Sequence, residues 1–183
     1  SLRDAVHIAY VIDEMAAASP CNWIASVIPG ITFEPYALQV IADYINIRPD
    51  WRLIYVDEDT READDRYTAP LFKPDLNVDL LRSMAYFGGL VLVEKQAFLE
   101  SGRFGSCAGA ESYDLTLRLL DHHGPAAIGH VSQMLAHLPR SSTRAMNPEA
   151  EMAAVAAHLQ RHGLDADIRD GALFGTRHIR YRW

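Results

Sequence analysis

WIASVIPGITFEPYALQVIADYINIRPDWRLIYVDED, residues 23–59, passes from one buried run through an amphipathic run to a second buried run. WIASVI at 23–28 lies between the breakers SPCN and PG, and reads as a short strand. FEPYALQVIADYINIRPD then predicts an amphipathic helix, with Pro35 suited to a first-turn position where its missing N–H costs nothing. WRLIYV at 51–56 is the next strand. Strand, helix and strand in this order point to an α/β layer structure.

The pattern continues in both directions. Upstream, the apolar residues between Arg3 and Ala18 fall largely on one helical stripe. Downstream, a polar loop leads to a short helix near NVDLLRSM, with Asn77 as its cap. GLVLVEK is a third strand, QAFLESG a short helix, and SYDLTLRLLDHHG a helix capped by Ser112 and stopped by Gly124. Residues 127–138 favour an extended segment. In NPEAEMAAVAAHLQRHG, Pro148 opens a helix and Gly163 closes it. ADIRDG and RHIRYRW read as a closing hairpin. The expected fold is one α/β domain over residues 1–183, with a mostly parallel mixed sheet flanked by helices, as part of a longer parent protein.

Composition narrows the function. A chain of 183 residues, 22% charged and 49% apolar, suits one globular core. Its net charge of −7 argues against a nucleic-acid binder. Its longest apolar stretch, GGLVLV, is far too short for a transmembrane segment. Two distant cysteines, Cys21 and Cys107, make neither a disulfide framework nor a thiolate zinc site, and the expected setting is cytoplasmic.

Directly after the second strand, residues 57–65 hold six acidic side chains. Asp57 and Asp59 flank one residue, as carboxylates that grip a divalent cation do; a solvated acidic loop relieved by Arg61 and Arg66 has the same sequence.

Four stretches in register resemble bacterial family 2 glycosyltransferases of the GT-A fold, especially those of O-antigen or rhamnan assembly. They are WIASVIPGITFEPYAL with RPDWRLIYVDED; LFKPDLNVDLLRSMAYFGGLVLVEKQAFLESGRF; GAESYDLTLRLLD; and IGHVSQMLAHLPRSST with the late HLQRHG. The match runs over roughly residues 4–183 and covers the second half of the family's domain. It implies transfer of a sugar from a nucleoside diphosphate sugar to a saccharide or lipid-linked hydroxyl acceptor. The setting implied is surface polysaccharide assembly in the cytoplasm or at the inner membrane surface. It also implies a sheet edge left open and covered by a second copy or another segment of the parent chain.

Two departures from the family stand out. The family's aspartate motif for Mg²⁺ or Mn²⁺ aligns with the apolar Ile28, Pro29, Gly30 and Ile31. Its catalytic aspartate aligns with Ser112, leaving Glu111 or Asp114 to take the acceptor's proton. The local alternative makes Glu111 and Asp114 first-turn acids of a helix. By resemblance His137 joins Asp57 and Asp59 as a metal ligand, Arg140 meets phosphate, and the paired Gly88 and Gly89 lie beside the donor sugar. The glycines equally suit a turn needing positive φ. His158 and His162, four apart on one helix face, lack an acidic third ligand nearby in sequence and read as structural.

Overall fold

The computed structural model describes residues 13–105, 107, 109–140 and 147–182. Helical residues 13–18 (α1) lead to β1 (Trp23–Val27) and β2 (Thr32–Phe33), followed by α2 (Ala37–Ile47). β3 (Leu53–Arg61), β4 (Tyr67–Leu71), α3 (Val78–Ser83), β5 (Leu90–Glu94) and α4 (Lys95–Glu100) come next. α5 (Glu111–His123), β6 (Ile128–Pro139), α6 (Pro148–Arg161), β7 (Ala166–Asp170) and β8 (Arg177–Tyr181) complete the chain. The rest of the helix expected from Arg3 lies outside the described residues.

The sheet runs β1-β5-β3-β6-β2, with β4 also on β3, and β7 and β8 form a separate antiparallel pair. The mixed α/β class therefore holds, but parallel pairing is confined to β3 and β6. Parallel neighbours need a long crossover, and here the chain from β4 through α5 supplies it. The short β3–β4 turn can only make an antiparallel pair.

Alternation along β3 builds the core on both sheet faces. Leu53 and Tyr55 join the cluster beneath α4, α5 and α6, whereas Ile54 and Val56 join Ile41 of α2, Trp51 and Val131. All four β3 residues are fully buried, and each such side chain contributes about 1.5–3 kcal/mol relative to an exposed one.

Several ends follow local chemistry. Asn77 and Asn147 accept from the amides of Leu80 and Ala150, as N-caps do. Gly124, at φ 78°, stops α5. Two ends differ from expectation. Pro35 precedes α2 rather than opening it, and α5 begins at Glu111, so Ser112 is inside the helix rather than its cap.

Candidate functional site

The Asp57–Glu58–Asp59 triplet is not a loop. β3 continues through it to Arg61, pairing with both β4 and β6, and Asp57 and Glu58 are buried. Apolar periodicity ends at Val56, so nothing local signals this continuation; the strand is held by its neighbours. Buried carboxylates need partners, and each of the three has its own. Asp57 Oδ1 accepts from the Lys73 amide at 2.9 Å and lies 2.9 Å from His130 Nε2. Glu58 accepts from the Gly89 amide at 2.8 Å and pairs with Lys73 Nζ at 3.0 Å. Asp59 lies 2.7 Å from His137 Nδ1, and His137 Nε2 faces Glu34 at 3.4 Å.

The register of β6 separates these pairs. Val56 sits opposite Val131 but Asp57 opposite Met134, so Ser132 and Gln133 bulge out of the ladder. His130 therefore serves Asp57 and His137 serves Asp59. Asp59 and His137 come together, while Asp57 is turned to a different histidine. Among the described residues the three do not form a convergent metal-ligand group.

Glu58 and Lys73 support the paired glycines from below. Lys73 Nζ also donates to the carbonyls of Val56 and Phe87, at 2.6 and 2.9 Å. Gly88 has φ 86°, and a Cβ there would meet the Glu58 carboxylate at 2.3 Å and Lys73 Nζ at 2.4 Å. The turn thus needs glycine for both conformation and space.

Above this turn opens a cleft of about 370 Å³. Its walls are the end of β1 with Ile28 and Pro29, the Gly88–Gly89 turn, the start of α5, and Glu151 of α6. Ser112 bonds Ser26 across it, Oγ to Oγ at 2.8 Å, tying α5 to β1. Glu111 lines the cleft, half-buried, and its side chain makes no hydrogen bond or ion pair with another described residue. Asp114 is buried and held by Arg118 at 2.9 Å, whose guanidinium also binds the carbonyls of Ser101 and Arg103. Glu151 is paired with Arg177. Arg140 lies elsewhere, 73% exposed, pairing with Glu62 at 2.7 Å in a concavity that Gly30 and Pro139 line.

No family model matches the chain. Over 159 residues, 82% of its length, it is 31% identical to the O-antigen biosynthesis protein RfbC of Myxococcus xanthus. Over 103 residues, 56% of its length, it is 32% identical to the uncharacterized protein y4gI of Sinorhizobium fredii. It spans only 12% and 11% of those two proteins. Its fold is similar to mannosyl-3-phosphoglycerate synthase from Rubrobacter xylanophilus, with a TM-score of 0.52 at 11% identity, covering 93% of this chain and 59% of the synthase. The chain is thus similar in sequence to part of an O-antigen biosynthesis protein, and in fold to a mannosyl-3-phosphoglycerate synthase.

The quartet that the resemblance aligns with a metal motif is half-buried at Ile28 and Ile31 and exposed at Pro29 and Gly30. Ile28 and Leu138 close on either side of Gly89, and Pro139 covers Gly30, 3.1 Å from where a Cβ would stand. Ile28, Pro29, Gly30 and Ile31 carry no side-chain oxygen, and the neighbouring acids Asp57 and Asp59 are bound to separate histidines. These residues do not fit a Mg²⁺ or Mn²⁺ site, which needs several converging oxygens. Of the residues singled out from sequence, the cleft unites Gly88, Gly89 and Glu111. Lys73, Glu58 and Ser26 went unseen as functional, because each matters only through a partner from 14 to 86 positions away. In the chain among described residues, no helix is long and apolar enough to cross a membrane.

Proposed function

We propose that this chain transfers a sugar from a nucleoside diphosphate sugar to a hydroxyl acceptor in bacterial surface polysaccharide assembly, with the acceptor in the cleft beside Glu111. The observation that carries this reading is the contrast between the two candidate bases. The Glu111 side chain opens into the cleft with no hydrogen-bond or ion-pair partner among the described residues, whereas Asp114 is held by Arg118. A general base must reach the proton it takes. In the proposed step the acceptor oxygen bonds to the anomeric carbon as the bond from that carbon to the diphosphate breaks. The acceptor's proton passes to the Glu111 carboxylate, and the diphosphate leaves. Gly88 and Gly89, lacking side chains, let a sugar ring approach the backbone closely, and Ser112, bonded to Ser26, fixes the start of α5.

A second reading has its own support. The apolar packing of Ile28, Leu138 and Pro139 favours a module that binds carbohydrate or nucleotide without turnover. One experiment tests both. Purified chain is offered UDP- and dTDP-sugars with saccharide and lipid-linked acceptors, and Glu111→Gln is compared with wild type. Loss of a general base lowers kcat by about 10²–10⁴-fold, while UDP or dTDP affinity by calorimetry stays unchanged. Equal transfer by the variant eliminates the role of Glu111. Binding by wild type with no transfer to any acceptor selects the second reading.

A further inference from the structure

α5 and α6 pack side by side, with Glu111 and Glu151 of their first turns at the cleft. Their other ends meet around a different group. His158 lies in the last turn of α6, and His162 follows as its C-cap. Both face Asp121 near the end of α5. Asp121 Oδ1 is 2.6 Å from His158 Nδ1 and 2.7 Å from His162 Nε2, and the three ligand atoms lie within 4.8 Å of one another. The acid missing from the sequence around the two histidines is thus supplied by the neighbouring helix.

We infer that Asp121, His158 and His162 form a Zn²⁺ site that clamps α5 to α6. Two imidazoles and one carboxylate are a donor set for Zn²⁺, whereas Mg²⁺ takes oxygen ligands. His158 is fully buried and positions the site, and His162, with a side chain 44% exposed, leaves room for water as a fourth ligand. Arg161 occupies Oδ2 of Asp121 at 2.5 Å, so Oδ1 remains the oxygen for the ion. Burial alone would raise the Asp121 carboxyl, but hydrogen bonds from His158, His162 and Arg161 outweigh it and hold it at about 2.

The two imidazole nitrogens, within 4.8 Å of each other, and the carboxylate oxygen need only shift to the spacing of a common ion. Zn–ligand bonds of about 2.0–2.1 Å set tetrahedral ligand spacings of roughly 3.3 Å, so Oδ1 retreats from each imidazole by less than an ångström. Without metal, His158 donates Nδ1–H to Asp121 and accepts from Arg82 Nε on Nε2, at 3.1 Å. On coordination the ion takes Nδ1 and the proton resides on Nε2. Arg82 then turns to Asp79, which its Nη1 already reaches at 3.2 Å. Asp121 is ten residues beyond Glu111 on α5, roughly 15 Å along the helix. The ion thus braces the helices that frame the cleft and takes no part in chemistry there.

The test uses chain without a histidine tag, stripped with EDTA and titrated calorimetrically with ZnCl₂, with thermal unfolding followed in parallel. The expected result is one equivalent of Zn²⁺ bound and a raised Tm, reversed by EDTA and not produced by Mg²⁺. His162→Ala, at an exposed position, and Asp121→Asn each weaken binding by at least about tenfold, whereas His122→Ala does not. Absence of saturable binding up to about 1 mM overturns the site. So does Zn²⁺ affinity unchanged in His162→Ala, or lost only in His122→Ala.

Discussion

Replacing Lys73 with methionine tests how the cleft floor is held. Methionine keeps an unbranched apolar stem of similar length, so the change is confined largely to the ammonium group. That group is 1% exposed and joins Glu58 to the carbonyls of Val56 and Phe87. Removing it leaves the Glu58 carboxylate, 8% exposed, with the Gly89 amide as its remaining hydrogen bond among the described residues. Breaking a buried ion pair from one side costs about 3–5 kcal/mol, against a total stability of about 5–15 kcal/mol for a domain. The loss is read from urea unfolding followed by circular dichroism, extrapolated to water. Glu58→Gln in the same chain removes the stranded charge, so the double variant is more stable than Lys73→Met alone. A Lys73→Met loss below about 1 kcal/mol, on the scale of an exposed pair, with no recovery in the double variant, refutes the reasoning.

Two further perturbations read other parts of the molecule. Gly129→Ala places a Cβ 2.0 Å from the Trp51 ring, which stacks on Tyr44 and lies under Arg48; overpacking of this kind costs about 1–3 kcal/mol. Red-shifted tryptophan emission and a lower urea midpoint are expected, and unchanged values for both contradict the packing described. Asp121 gives a pH dependence: its folded value of about 2 lies below the ordinary 3.8, so the folded state binds fewer protons and acidification favours unfolding. Its contribution is complete above about 3.8 and is lost as pH falls toward 2. The urea midpoint of wild type should therefore fall more steeply over that window than that of Asp121→Asn, and parallel curves exclude the effect.

The sequence of this chain carries its element order because hydrophobic period and capping are local properties. The runs at 23–28, 51–56 and 89–95, the Asn77 cap and the Pro148–Gly163 helix all depend on residues a few positions apart. Glycines 88 and 89 and Glu111, which line one cleft, stand out in the sequence for the same reason, since a Gly pair and a first-turn acid mark their own positions. Strand direction was not legible: parallel or antiparallel pairing depends on where the crossover returns the chain, and only β3 with β6 came out parallel. Nor was the fate of Asp57, Glu58 and Asp59, whose burial depends on His130, His137 and Lys73 arriving from other elements. The pairing of Asp114 depends on Arg118 one helical turn along, and the union of Asp121 with His158 and His162 on two helices packing together. Local periodicity writes the elements into the sequence; which charges end up paired depends on distances that exist only once those elements have packed.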